Sequence, residues 1–529
     1  MFDVGFGLRL LGRCVPEHPL CDVFDSARDL EMGMQIRWLV SWAGIHQNHE
    51  RLKDYEESMW DLIELYEKAE TTRRPKTISS SVVSEEPVDF GLFDSKEAAE
   101  QMLSTTMQNM SVVPSTEIQD PFITNFISLH STLQCTPPPP LSLIAQNSLT
   151  QNIDIQARLT QHALLSLFFN TLKLRDHLSI LHRYLLFGNG VFVTRLQEAL
   201  FDDFVEDDVR SGGQRGLGLG IGVVKDNQTW PPNGGKVTVV LRNVLSECLS
   251  ETEQSEVSFA YRELSEERFE RIKNPISTGF PRDNVTDLGL EALDFIQLLY
   301  KPPFPLDAII TSSVLEKYDC IFLFLLRLFR MQYIAQQLFR DAASRTSYAQ
   351  GLDPLSQRFR IEAHHFITTI TGYIFHVSIG TQWHHFQRQL DEIQRSLHTR
   401  NAGTSVTELR ELHLQTLDRM MFACFLKRRQ GAVLSLLYAC FEPVLLFAKT
   451  SRMYARREQR VWARMREEMA DNTRILYTQF SKKAGMFVRV IDQLESRGVG
   501  KAGETMREGL DSGWFADLLV RLDWSYFDR

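Results

Sequence analysis

Apolar residues recur along much of this chain at spacings of three and four, the signature of amphipathic helices that pack against one another. Between Asp29 and about Ala69 the positions Trp38, Leu39, Trp42, Ile45, Leu52, Tyr55, Met59, Leu62 and Leu65 follow that rule and predict helix. The rule lapses from Thr71 to about Pro121, where Ser, Thr, Glu and Pro dominate (TTRRPKTISSSVVSEEP) and too little apolar surface remains to offset the entropy of ordering. A disordered insertion over 71–121 is the expectation. Pro137 to Pro140 then make 135–141 a stiff extended connector. Helical periodicity resumes at about Ile153 and runs through Leu200, with Leu164, Leu167, Phe168, Leu172, Leu178, Leu181 and Leu185 on one broad face.

An acidic and then Gly-rich stretch from Asp202 to Lys236, ending in TWPPNGGK, is expected to separate two lobes. The segment KVTVVL, Lys236 to Leu241, fits a strand or the first turn of a helix, and periodicity alone does not choose. Leu293, Phe295, Ile296, Leu298, Leu299 and Tyr300 precede KPPFPLDAII, which reads as an extended segment docking on a bundle. Ser313 and Glu316 fit a capping box. The helix they open places Val314, Tyr318, Ile321, Phe322, Leu325, Leu328 and Phe329 on a single stripe. Long helices are also predicted at 356–397, 405–426, 432–468 and 472–496, with a last one from about Trp514. The fold class that results is all-α: an elongated stack of helical bundles in two lobes, with at most a few short strands.

Composition narrows the class. At 529 residues the chain exceeds one compact core, and 43% hydrophobic with 24% charged residues is a globular balance. The net charge of -9 argues against a nucleic-acid partner, whose footprint is a basic excess. Seven scattered cysteines without a CxxC pair suit reduced thiols. The opening residues lack the apolar core and cleavage site of a signal peptide. The apolar stretch Gly431 to Ala448 holds Glu442 and Pro443, and the run from Ile321 is interrupted by Arg327 and Arg330, so neither matches the roughly 18 uncharged residues of a spanning helix. Membrane insertion is not expected.

Signals for chemistry are weak. GLGLGIG, Gly216 to Gly222, lacks the preceding strand and the closing Lys-Ser or Lys-Thr of a phosphate cradle and reads as linker. Cys14, His18 and Cys21 have ligand-like spacing but no fourth ligand nearby. The pairs His364/His365 and His384/His385 do not form HExxH, and no nucleophile elbow marks a triad. No catalytic residue, metal or cofactor is therefore expected. Arg452, Arg456, Arg460 and Arg464 recur every four residues, which on one continuous helix makes a basic stripe, extended by Lys449, Arg457 and Arg466. It reads either as a solvated face or as a docking surface for an acidic protein.

Several ordered segments carry a resemblance to a known family. LSILHRYLLFGNGVFVTRLQEALF, Leu178 to Phe201, is similar to a helix, turn and helix signature of the gamma-tubulin complex components, the Spc97/Spc98 type. PFPLDAIITSSVLEKYDCIFLFLLRLFRMQY, Pro303 to Tyr333, resembles the family's Trp-Pro-Leu segment followed by Val-Leu-x-Lys-Tyr, with Phe304 in the place of the tryptophan. His365, Phe366, Tyr373, Trp383 and Phe386 continue the likeness. ELHLQTLDRMMFACFL, Glu411 to Leu426, is similar to the His-x-x-x-Leu-Asp helix through His413, Leu417 and Asp418, and LLVRLDWSYF, Leu518 to Phe527, to the closing Leu-x-x-Leu-Asp-aromatic pattern.

The resemblance implies a non-enzymatic scaffold with a nearly all-helical, two-domain architecture. Residues 1–205 would be a partial N-terminal domain for lateral association with other gamma-tubulin complex components, incomplete because LRLLGRCVPEHPL looks like the middle of that domain. Residues 206–235 would be the linker and 236–529 the gamma-tubulin-binding domain. Expected contact residues are Tyr318, His413, Asp418, Arg452, Arg456, Arg460, Arg464, Arg521, Asp523 and Trp524. The implied function is microtubule nucleation at a cytoplasmic microtubule-organising centre, a spindle pole body or centrosome; the alternative is a helical-rod subunit that tethers vesicles.

Overall fold

The computed structural model describes residues 10–15, 18, 20, 42–72, 139–201, 234–249, 256–261, 290–343, 354–398, 404–456, 462–496 and 515–522. Contacts group the chain into two compact units, Met1–Ala163 and Leu164–Arg529. Most of the expected insertion, and the Gly-rich run at 216–222, lie outside the described residues. Among the described residues the architecture is all-α apart from two short strands, as the hydrophobic spacing predicts.

In the first unit α1 (Trp42–Thr72) turns Leu52, Met59, Trp60 and Ile63 inward, an i, i+7, i+8, i+11 set that makes one buried stripe. Pro140 is extended and precedes α2 (Leu141–Ala145), and a wide π-helical turn over Gln146–Thr150 leads into α3 (Gln151–Ser166). Trp60 meets His162 edge-on at 4.7 Å, and Arg158 pairs with Glu56 at 3.0 Å, so α1 and α3 share one packed seam.

The second unit is arranged around one helix. After α4 (Leu174–Ile180), α5 (Gly190–Phe201) and α6 (Gly234–Cys248), strand β1 (Val257–Tyr261) pairs antiparallel with β2 (Ile296–Tyr300) in the register Val257 to Tyr300 and Tyr261 to Ile296. The central helix α7 spans Ser312–Ala343. Its predicted stripe is buried, and so are Phe324, Leu326, Met331, Ile334 and Ala335 on its other sides, which makes it a helix enclosed by neighbours rather than one laid on a surface. Around it stand α8 (Pro354–Tyr373), α9 (Gln382–His398), α10 (Val406–Ala423), α11 (Gly431–Arg456), α12 (Trp462–Ser496) and α13 (Ala516–Arg521).

One charge at this core is paired with its opposite. Arg327 of α7 donates from Nε to Asp294 Oδ1 at 2.9 Å and makes a second contact to Oδ2, while its guanidinium lies 5.3 Å from the Tyr438 ring centre. Burial alone would lower the arginine's pKa, but the hydrogen bond and charge of Asp294 outweigh it and hold it above the usual value. Aromatic rings fill the space between α8, α11 and α12: Phe359 lies 4.6 Å from Phe447 and 5.4 Å from Phe480, and Phe366 lies 6.0 Å from Phe487. Each such ring contributes on the order of 1.5–3 kcal/mol by leaving water.

Several expectations change on folding. KVTVVL is helix, because Val237, Val240, Leu241, Val244 and Leu245 bury on one 3.6-residue stripe of α6. The capping box at Ser313 is not formed, since α7 begins one residue earlier and the Thr311 carbonyl accepts from Val314 and Leu315; the box forms instead at Ser405 and Glu408. The predicted helix 356–397 is two helices joined by a π-helical segment, Ile374–Thr381, and 432–468 is split between α11 and α12. These two run antiparallel, with Lys483 reaching Glu442 at 3.5 Å and Phe480 meeting Phe359 beside Phe447. Helices α4 and α5 and the turn between them pack on α7: Phe187 lies 5.5 Å from Phe322 and Phe201 4.8 Å from Tyr333. By length and composition alone the run Val406–Ser451 is apolar enough to cross a membrane, with 44% of its most apolar window buried. It is broken at Cys424–Gln430 by a turn carrying Arg428 and Arg429, and its inward residues Val433, Leu437, Phe441, Val444 and Phe447 are core.

The turn between α4 and α5 shows how the LLFGNG sequence sets local geometry. After the π-helical turn Leu181–Leu185, Phe187 takes a left-handed φ of 57°, and the Gly188 amide donates to the His182 carbonyl at 3.1 Å. A Cβ on Gly188 would stand 2.5 Å from the His182 ring, which is itself stacked on Trp383 at 4.6 Å. Asn189 caps α5 by accepting from the Val191 amide at 3.0 Å. Gly188→Ala is expected to destabilise by about 1–3 kcal/mol, as overpacking does, whereas Gly190→Ala, whose Cβ meets nothing within 4 Å, should be neutral or slightly stabilising. Urea midpoints of the two variants check this.

Candidate functional site

Three of the expected contact residues meet where α7 crosses α10. Tyr318 sits in the second turn of α7 and His413 in the middle of α10, and their hydroxyl and Nε2 are hydrogen-bonded at 2.9 Å. Phe386 of α9 stacks on the imidazole with ring centres 5.3 Å apart and planes 15° apart. At the edge of the same junction the Asp418 carboxylate receives Lys317 Nζ at 3.0 Å and Lys427 Nζ at 2.5 Å. One buried hydrogen bond and one two-lysine clamp thus tie together α7, α9, α10 and the turn that follows α10.

The electrostatics follow from burial. His413 is enclosed, and desolvation, aided by the nearby Lys317 charge, lowers its pKa to about 3, so the ring is neutral at physiological pH. Desolvation pushes the Tyr318 hydroxyl upward from its usual value. Burial would also raise Asp418, but the hydrogen bonds from Lys427 and Lys317 win and hold its carboxyl below the usual range. With Nε2 engaged by Tyr318, His413 Nδ1 is buried without a hydrogen-bond partner among the described residues.

The side chains of Tyr318 and His413, both among the expected contacts, are buried. Their role in the fold is to fix α7 against α10. Asp418 is half-buried at the rim, and Arg521 is exposed, paired with Asp517 one turn earlier at 2.8 Å, while the flanking Leu518 and Leu522 enter the core. Arg452 and Arg456 lie in the last turns of α11 and Arg464 in the first turn of α12, so the stripe does not run along one helix. The side chains of those three arginines, and Arg460, Asp523 and Trp524 altogether, lie outside the described residues.

The groups that sequence reasoning missed are long-range partners. Lys317 stands inside the EKY segment beside Tyr318, yet only folding brings Asp418 to it. Lys427 carries no local signal at all, since it reaches back across the end of α10. Among the described residues no group of three His, Cys, Asp or Glu side chains could hold a metal ion. In the Cys14, His18, Cys21 trio, His18 is buried beside Tyr66 and accepts from the Leu20 amide at 3.2 Å, and Cys21 is outside the described residues.

Residues 174–527 match the family described as gamma tubulin complex component C-terminal, a span that includes the whole junction. The chain is 27% identical over 318 residues to gamma-tubulin complex component 6 of Mus musculus and 24% identical over 322 residues to that of Homo sapiens, each covering 58% of this chain and 15% of the relative. It is 21% identical over 311 residues to spindle pole body component 98 of Dictyostelium discoideum, covering 58% of this chain and 32% of that protein.

The buried histidine generates a pH dependence with a definite sign. Unfolded His413 takes a proton near pH 6.5, whereas the folded ring resists it until about 3. The unfolded state therefore binds more protons in that window, and stability falls as pH drops through it, by about 1.4 kcal/mol per unit for this one group. His182, lowered to about 4 by burial and by His384 and Arg183, adds in the same direction. Urea unfolding between pH 7 and pH 5 should show the loss, and His413→Gln should flatten the slope by about one proton's share whatever its effect on absolute stability.

Proposed function

Because the chain belongs to the gamma-tubulin complex component family, we propose that it is a non-enzymatic scaffold that binds gamma-tubulin through its C-terminal domain, 236–529, and promotes microtubule nucleation at a microtubule-organising centre. The observation that carries this reading is the family match over 174–527, which takes in α4 through α13. Nucleation is slow because the first subunits lose translational and rotational freedom before their mutual contacts compensate, a cost of several kcal/mol per association. A rigid holder that presets the spacing of gamma-tubulin subunits prepays part of it. Bond chemistry is not required of such a holder, and stiffness is.

Within this reading the residues divide by exposure. Tyr318 and His413 act by position, fixing α7 to α10, while Asp418, Arg521 and the arginines at 452, 456, 460 and 464 are the proposed contacts, together with Asp523 and Trp524. Residues 1–205 are assigned to lateral association with other components of the complex. The place of action is the cytoplasmic spindle pole or centrosome.

Purified full-length chain mixed with gamma-tubulin should co-elute with it on size exclusion and should not float with liposomes, the behaviour expected of a vesicle tether. Arg452→Glu combined with Arg456→Glu should weaken capture about tenfold or more, as truncating or reversing interface charges does, with the thermal unfolding midpoint preserved. Undiminished capture would remove the stripe from the interface, and no capture by the unaltered chain would defeat the reading itself.

A further inference from the structure

Helix α12 turns one face to water, and that face carries charge of a single sign. At about 100° per residue, Arg474, Ile475, Lys482, Gly485, Met486 and Arg489 fall within about 120° of arc over about 22 Å of axis. Phe480, Ala484, Phe487 and Ile491 fill the opposite, buried side. Ile475 and Met486 are 43% and 54% exposed, and the three cations are exposed beside them. No Asp or Glu occurs from Asn472 to Ile491, in a chain whose net charge is -9. The acids that reach α12 from α8 and α11 are already engaged: buried Glu362 accepts from Arg358 at 2.6 Å and from Tyr477 at 3.2 Å, and Glu442 takes Lys483 at 3.5 Å. Arg474, Lys482 and Arg489 have no ion-pair partner among the described residues. Gly485 lies between Lys482 and Arg489, with nothing within 4 Å of where a Cβ would stand. Packing inside the fold therefore gives no reason for a glycine there, although in mid-helix it costs about 1 kcal/mol against Ala. The missing side chain leaves a notch among the cations, where another chain can approach closely.

The two apolar residues decide between anionic partners. A lipid surface gains little, because the broad apolar face that would insert is buried in the core, and three cations contribute only about 1 kcal/mol each at an anionic leaflet. A phosphate backbone would use the cations and leave Ile475 and Met486 facing nothing apolar. A helix of about four turns with carboxylates and apolar residues along one face satisfies both kinds of group at once, and its backbone can settle toward Gly485. We propose that the outward face of α12 is a docking site for an acidic amphipathic helix of a partner protein. None of these six residues is among those assigned to gamma-tubulin contact, so the inference stands apart from that reading.

Fluorescence anisotropy of the full-length chain with a labelled helical peptide tests this. The peptide, of about six turns, carries Glu and Leu along one face and Gln and Ala elsewhere; a second peptide of the same composition scatters Glu and Leu around the helix. The first peptide is expected to bind about tenfold or more tightly than the second, and less tightly at about 500 mM salt than at about 50 mM. Arg474→Glu with Arg489→Glu should weaken that binding about tenfold or more. Gly485→Leu should weaken it severalfold by filling the notch while leaving every charge in place, and its thermal unfolding midpoint should hold or rise. Absence of binding, equal binding of the two peptides, indifference to the charge reversal or to Gly485→Leu, or tighter binding to phosphatidylserine vesicles or to duplex DNA than to the first peptide would overturn the inference. Circular dichroism of each variant, expected unchanged, separates a lost contact from a lost fold.

Discussion

The structure depends on enclosing α7. A helix with Tyr318, Phe322, Phe324, Leu326 and Met331 spread around most of its circumference, and a narrow strip through Glu316 and Cys320 left to water, is stable only when sheathed. The sheath is drawn from widely separated parts of the chain: α5, β2, α8, α10 and α11 all pack on it. Each sheathing element in turn buries only one stripe, which is why their sequences read as amphipathic while that of α7 reads as nearly continuous apolar residues. The two arginines that interrupt it are accommodated differently. Arg327 is neutralised by buried Asp294, whereas Arg330 is enclosed and desolvation lowers its pKa to about 10.

That sheath also explains the geometry of the junction between α7 and α10. The first two turns of α7 emerge at the edge of the bundle, so Tyr318 points inward to His413 while its neighbour Lys317, about 100° around the helix, reaches the rim and Asp418. A buried neutral hydrogen bond and a partly exposed ion cluster are thereby placed side by side on the same two helices. The buried pair sets the spacing of the helices, and the rim cluster of Lys317, Asp418 and Lys427 lies half-exposed beside it. A surface keeps its shape only when the residues behind it are locked.

The junction was legible in part. The order of the segments containing Tyr318, His413 and Asp418 identified them as belonging together, but it did not separate interior from surface. Burial is a property of what lies opposite. His413 is interior because Phe386 covers it, and that covering ring is supplied by a different helix. The arginine stripe illustrates the same point from the other direction: a four-residue spacing defines a surface only while one helix continues, and α11 ends at Arg456.

By itself the sequence determined that the chain is helical, where most helices lie, which stripe of each is apolar, and to which family it belongs, because these follow from periodicities of a few residues and from the order of short motifs. The tertiary structure decided what those periodicities leave degenerate. It made KVTVVL a helix by packing α6 on β1, turned Leu290 onward into a 3₁₀ turn and a strand by offering Val257–Tyr261 as a partner, and widened the 356–397 helix at Ile374–Thr381, where Tyr373 and Ser378 donate to the Ala423 carbonyl. It also joined Tyr318 to His413 and His182 to Trp383, pairs 95 and about 200 residues apart. Such contacts are chosen by the enclosure of α7 as a whole, and no window short enough to read along the chain contains both members of the pair.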